Sequence, residues 1–527
     1  MKAVKSSAVF EFSTRALPLY LSGNLKAASF VLPVDSEHKA AAFKPWRFRG
    51  VHMTAFHASW ISMFISFMST FAPAALIPVI RDDLDLKTSD LANAGIAAVT
   101  GVIAARAIMG ALCDTLGPRI GHAGLSLLTA PAVFGMGLVR SAAGFVGCRF
   151  VIGFSMATFV ACQYWSSVMF NVQIVGIVNA TGAGWGNTGG GATHFLMPII
   201  FTGFTSFYDP FVAWRFALWI PGLLHIAIAF VILAFAQDMP DGSFYSLQGK
   251  GQGAFKAMKV GLTNHRMWLL ALLYGYSFGV ELTIQNVVVS YFFDNFTVSF
   301  HNAGILASVF GLLNIFARTI GGAYSDLVGK KYGMRGRLAA FWVIQMMEGI
   351  LVVCLGLAGN NLLGTILLMA VFSIFVQASE GACYGIVPFV SKRALGVVTG
   401  FVGAGGNIGS VVLQAAFFRS HGIDTDRGFI LMGITVMVVT QAILFIRFPQ
   451  WGGVFSREDV GCTEEDYYLG EYSQDEIAQG LANASIVFAN EAITQRGEVR
   501  LVREAEASRA ASRSIEVFDI ARPVTSI

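Results

Sequence analysis

Twelve apolar stretches, each about long enough to cross a bilayer, set the terms for this 527-residue chain. A spanning helix needs about 20 mostly apolar residues. The stretches run over roughly 54–80, 90–113, 121–140, 142–170, 173–203, 212–236, 266–293, 301–325, 336–358, 361–390, 395–418 and 428–447. Only 13% of the residues are charged, about half the share of an ordinary soluble domain, so lipid must solvate much of the surface. A polar break, Gln237 to His265, carries Lys250, Lys256 and Lys259 and divides the stretches six and six. The expected fold class is an all-α membrane protein of twelve transmembrane helices in two pseudo-symmetric six-helix halves. Its parts are a tail over 1–50, a half over 51–236, a linker over 237–265, a half over 266–447 and a tail over 448–527.

Charge placement orients the chain. Lys44, Arg47 and Arg49, then Arg119, then Lys330, Lys331, Arg335 and Arg337, then Lys392 and Arg393, and finally Arg447 all fall on one side. Asp82, Asp83, Asp85, Asp90, Asp424 and Asp426 fall on the other. Cationic loops stay in the cytosol, so both termini are expected there. The first long apolar stretch starts near Thr54, too late for a removed signal; a transit-type leader is the rival reading of the first thirty residues. The net charge of +4 is small and scattered, which argues against nucleic acid as a partner. The six cysteines, Cys113, Cys148, Cys162, Cys354, Cys383 and Cys462, show no CxxC or Cys/His spacing. Neither a disulfide framework nor a metal site is expected, and no cofactor.

The halves repeat each other. Gly110, Asp114, Gly117, Arg119 and Gly121 close the second stretch; Gly322, Asp326, Gly329, Lys331 and Gly333 close the eighth, all at an offset of 212. An Asp at a helix end and a cation in the following turn can latch neighbouring helices, and Gly permits the turn. Arg106 and Arg318 obey the same offset of 212. Ionisable residues inside a membrane mark pathways, and pseudo-symmetric ones converge where the halves meet. Two planar guanidinium forks facing one another make a site for one small planar anion; the bland reading is a structural ion pair for each.

On the seventh stretch Tyr274, Phe278 and Glu281 fall on one helical face. The rings can flank a flat anion, and the acid can carry a proton. Phe159 and Gln163 stand one turn apart on the fourth stretch, and Glu348 and Glu380 are the other acids in apolar surroundings. Glu380 is the second candidate proton carrier, whereas Glu348 reads as a structural partner. Two Gly-rich runs match across the halves, Gly182 to Gly191 and Gly403 to Gly409, sharing Gly-Asn-x-Gly at an offset of 220. Small residues four apart let helices approach closely. Asn187 and Asn407 need partners in lipid and can offer amide donors to a substrate oxygen.

With its Gly-rich runs, its paired Arg106 and Arg318 and its repeated halves, the chain resembles the nitrate/nitrite porter family of the major facilitator superfamily. More narrowly it is similar to the high-affinity nitrate transporters of plants and algae. Leu32 to Lys39, Ala55 to Ile61, Thr158 to Trp165, Ser379 to Pro388, Phe448 to Gly452 and Thr463 to Tyr468 support the narrower match. The resemblance covers about residues 30 to 500. It implies that Arg106 and Arg318 clamp nitrate, that Phe159 and Tyr274 flank it with Phe278 nearby, and that Asn187 and Asn407 lie in the two porter motifs. It further implies proton-coupled import at the plasma membrane, with nitrite as a second substrate candidate and, for many members, a small single-span accessory subunit. Two rivals stand beside symport: nitrate/nitrite exchange, for which two arginines suffice, and a nitrate receptor signalling through the tail, which carries Arg509 to Ser512. No nucleotide loop, metal cluster or nucleophile–base pair suggests an enzyme.

Overall fold

The computed structural model describes residues 30–242, 254–296, 298, 300–359, 361–418 and 424–506. The segment before residue 30, Lys250, and Arg509 to Ser512 lie outside the described residues. The first six helices are α1 (Val51–Ala75), α2 (Thr88–Leu116), α3 (Pro118–Met136), α4 (Ala142–Met169), α5 (Val175–Thr205) and α6 (Pro210–Phe235). A short linker helix, Ala254–Thr263, precedes α7, which runs His265–Gly275 and, after a break, Phe278–Asn295. Phe300–Leu312 leads into Asn314–Gly356; the part before Gly333 completes α8 and the part after it is α9. α10 (Leu362–Tyr384), α11 (Leu395–Phe417) and α12 (Thr425–Thr440) follow.

Among the described residues nine helical runs are long and apolar enough to cross a membrane, and one of them is the α8–α9 pair. The remaining two of the twelve, α3 and α5, are diluted for visible reasons. Arg119 and His122 open α3, and the Gly, Asn and Thr of residues 181–193 run through α5. Large apolar side chains such as Ile108, Leu128, Phe230, Phe316 and Leu363 point outward. In water such a coat would be an association surface; against lipid it is the expected one.

The halves meet along two equivalent seams, α2 on α11 and α5 on α8. Glycine makes both possible. A Cβ at Gly110 would collide with the Gly396 carbonyl, and one at Gly322 with the Gly176 carbonyl. The two motifs nevertheless turn at different glycines: Gly117 takes φ +84° in the first and Gly333 takes φ +70° in the second. With ψ of 160° and −153°, both lie where glycine alone is at ease, and a β-carbon-bearing residue there costs about 1–3 kcal/mol.

The described stretches before α1 and after α12 pack on one face. A strap before α1 is tied to the first half: Asn171 Nδ2 donates to Asp35 Oδ2 at 2.5 Å, and Ala40 pairs with Phe170. The C-terminal tail is ordered as three short helices, Glu464–Leu469, Gln474–Ala478 and Asn483–Ala492. It is tied to the second half. Glu476 receives both Arg393 Nη1 and Nη2 at 3.0 and 2.8 Å, and Tyr468 and Tyr467 donate to the Phe389 and Val390 carbonyls at 3.1 and 2.8 Å. Strap and tail then touch across the halves. Glu37 sits between Lys39 and Lys392 at 2.6 and 3.3 Å, and both lysines lie over the Phe488 ring. Burial would push the Glu37 carboxyl up, but the two lysines outweigh it and hold it at about 2. Truncation after residue 460 should therefore leave anion binding by the purified protein intact, because no described tail residue bonds to Arg106 or Arg318, while loosening this face. Ligand binding of the truncated, folded protein checks the first expectation; its loss would make the tail part of the site.

Candidate anion site

Arg106 of α2 and Arg318 of α8 are fully buried and converge on the same two rings. The Arg106 guanidinium carbon is 4.7 Å from the Phe159 ring centre and 5.3 Å from that of Phe278; the Arg318 carbon is 5.7 and 5.9 Å away. Cations over ring faces are attracted by the π quadrupole, more so when desolvated. Phe159 from α4 and Phe278 from α7 lie parallel within 9°, with centres 6.3 Å apart, and Tyr274 stacks on Phe278 at 5.4 Å. The helix breaks between Tyr274 and Phe278, at Tyr276 and Ser277. The two rings nevertheless keep the one-face relation expected from their spacing.

The arginines are not equivalent. Arg106 donates once, from Nη1 to the Gly403 carbonyl at 2.6 Å; its Nε and Nη2 have no hydrogen-bond partner among the described residues. Those two nitrogens form the side-on fork that takes a planar oxyanion in bidentate fashion. Arg318 is more engaged. Nη2 donates to the Tyr274 hydroxyl at 2.5 Å, and Nη1 forms an ion pair with Glu380 of α10. Only its Nε is left without a partner of either kind. A buried cation needs an anionic partner or pays several kcal/mol in lost solvation. Arg318 has one in Glu380; Arg106 faces a neutral carbonyl and two rings.

The other predicted residues fall as follows. Asn407 is buried on α11 and reaches the Gly403 carbonyl at 3.5 Å, so it shares that oxygen with Arg106. Asn187 is buried on α5 with neither amide atom hydrogen-bonded. It leaves a donor and an acceptor free in the same helix whose Gly184 lies against Arg318. Glu281 accepts from Asn314 Nδ2 at 2.7 Å and from Gln285 Nε2 at 2.9 Å. The acid that pairs with a guanidinium is thus Glu380, and Glu281 stands beside it. Gln163 is turned away, donating to the Asn179 carbonyl at 3.1 Å.

Tyr384 is a site residue that the sequence spacing does not single out. Its ring meets Phe159 edge-on at 5.1 Å and Tyr274 at 5.0 Å, closing the aromatic box. Its place one turn after Glu380 on the same helix was the available signal.

The repeated motif sits at the seams. Asp114 accepts from the Gly396 and Val397 amides at 2.8 and 2.9 Å, the open first turn of α11. Asp326 accepts from the Gly176 and Ile177 amides at 3.1 and 2.6 Å, the open first turn of α5. Each carboxylate caps a helix of the opposite half, where unsatisfied N–H groups and the helix dipole favour an anion. The cations differ from expectation. Lys331 is exposed and lies over the Tyr332 ring at 5.2 Å rather than at Asp326. The partner of Asp326 is Arg337, at 2.5 Å, brought there by the turn at Gly333. Arg119 binds within its own half, to the Leu233 carbonyl, while its amide donates to Asp238. Asp114→Asn and Asp326→Asn should slow turnover several-fold and leave apparent affinity nearly unchanged; a shifted affinity at unchanged maximal rate would rule out a latch.

Comparisons with known proteins agree with this architecture. Residues 59–414 match the family model described as Major Facilitator Superfamily. The chain is 50% identical over 477 residues to "Nitrate transporter 2.2" of Chlamydomonas reinhardtii, covering 88% of this chain and 93% of that one. It is 46% identical over 474 residues to "High affinity nitrate transporter 2.5" of Arabidopsis thaliana, covering 89% and 94%. Among solved structures it is similar to the E. coli fucose:proton symporter FucP, with a TM-score of 0.57 at 11% identity over 74% of this chain and 98% of that one, a likeness of fold. The chain belongs to the major facilitator superfamily and, within it, to the nitrate transporter family of plants and algae.

Proposed function

We propose that the chain imports nitrate together with protons, by alternating access between its two six-helix halves, at the plasma membrane with both termini in the cytosol. The observation that carries the substrate is the unfilled side-on fork of Arg106 between parallel rings, with Arg318 opposite. One flat monovalent oxyanion satisfies that fork and the Arg318 Nε; nitrite, smaller and equally planar, is the second candidate. The names of the relatives supply the choice of nitrate among such anions.

Proton coupling follows from energetics and from Glu380. Moving one charge across the membrane against its potential costs about 2.3 kcal/mol per 100 mV. Nitrate entering an inside-negative cell runs uphill, and two protons per nitrate turn the net movement inward. Glu380 occupies Arg318 when no anion does. Nitrate competes for that guanidinium, and a carboxylate displaced into the same dry enclosure takes a proton. Proton loading and nitrate loading are thereby tied at one side chain. The test is nitrate-evoked current in oocytes as external pH is varied, with and without a small single-span accessory subunit. Current that follows the proton gradient supports symport. Counterflow of nitrate in vesicles at fixed pH, with no proton movement, would replace it by exchange.

A further inference from the structure

The enclosure holds three buried acids and two buried guanidinium groups. Besides Glu281 and Glu380 it contains Glu348 of α9, fully buried, with neither carboxyl oxygen hydrogen-bonded among the described residues. Ser379 is the polar side chain beside it, and Glu281 and Glu380 face it from α7 and α10. Beyond these two acids, the charge in the enclosure is that of Arg318, which interacts with Glu281 and Glu380, and of Arg106, which interacts with Glu380. The acids are differently occupied. Glu281 has two amide donors, Glu380 has Arg318, and Glu348 has neither.

Counting charge shows what the third acid adds. With nitrate bound, two arginines, one nitrate and one ionised carboxylate sum to zero, so two of the three acids are protonated. An empty enclosure that returns with all three acids ionised carries one net negative charge. The cycle then moves two protons and one nitrate inward, a single net positive charge. With only two acids, an empty enclosure of zero charge and a loaded one of zero charge differ by one proton, and the cycle is electroneutral. We propose that Glu348 carries the second proton, taking it from the outside when nitrate loads and releasing it inside. Glu380 carries the first by trading Arg318 for a proton. Resting on the proton-coupled reading above, this assigns a role to an acid that touches neither arginine nor anion.

The experiment measures labelled nitrate uptake and net current together in proteoliposomes, for the wild type and for Glu348→Gln. The expected variant still takes up nitrate in a pH-dependent way, but its current per nitrate falls from one charge to zero. An unchanged current per nitrate in that variant overturns the proposal. A wild type whose uptake ignores the proton gradient overturns the proton-coupled reading instead, and this one with it. Should the variant fail to fold, wild-type protein in weakly buffered detergent decides. Two protons taken up per nitrate bound support the assignment, and one per nitrate overturns it.

Discussion

Arg106→Lys loses most nitrate uptake while the protein still reaches the membrane. Lysine keeps the charge but cannot reproduce the Nε–Nη2 fork, which in Arg106 is the unfilled pair. One charge-assisted hydrogen bond contributes about 1.5–3 kcal/mol, so apparent affinity should weaken about ten- to a hundred-fold. Arg318→Lys should fall in the same range for a second reason: the ammonium has to serve Glu380, the Tyr274 hydroxyl and the anion with no planar geometry to divide them. Uptake at several nitrate concentrations, normalised to protein at the cell surface, checks both. Near-normal uptake in the two variants would remove the arginine clamp.

Glu380→Gln is the second change with a large expected effect. Glutamine leaves no carboxylate to compete with nitrate for Arg318, so nitrate affinity at high pH should rise, the pH dependence of binding should shrink to that of the remaining acids, and the net inward current should vanish. Exchange of labelled nitrate between equal compartments should survive, because both guanidinium groups remain. The contrast with Glu348→Gln is diagnostic: there the net charge is lost as well, but nitrate must still displace Glu380 from Arg318, so its affinity at high pH stays that of the wild type. A Glu380→Gln current with the pH dependence of the wild type would move the first proton to Glu281.

The sequence made the scaffold readable because lipid imposes it. Long apolar runs, an internal repeat at an offset of 212 and cation-rich loops are consequences of a bilayer, and no tertiary detail is needed to see them. Arg106 and Arg318 were visible for the same reason, since a charge in an apolar run stands out. Partnerships were less visible. Glu281 shares a face with Tyr274 and Phe278, which spacing reveals, but its amide donors come partly from Asn314 on another helix. Glu380 reaches Arg318 from α10, and no periodicity links two helices that far apart in sequence. Arg337 looked like one of several loop cations, because only the turn at Gly333 brings it back to Asp326. The break inside α7 was hidden by a stretch that is apolar on both sides of it.

The two seams are fastened by matching sets of bonds, and only one set involves the anion site. At the α5–α8 seam Asp326 takes two amides of α5, and Arg337, paired with Asp326 inside the second half, donates across to the Val172 carbonyl at 3.2 Å and is itself steadied by Gln495 of the tail at 2.8 Å. Across from it, Asp114 takes two amides of α11 with no ion-pair partner among the described residues, and the guanidinium that crosses this seam is Arg106, on the Gly403 carbonyl at 2.6 Å. Charge-assisted bonds are about twice as strong as neutral ones. Both edges thus carry a guanidinium bond across the halves, and the one on the α2–α11 edge belongs to the anion site, so what binds at Arg106 bears directly on that edge.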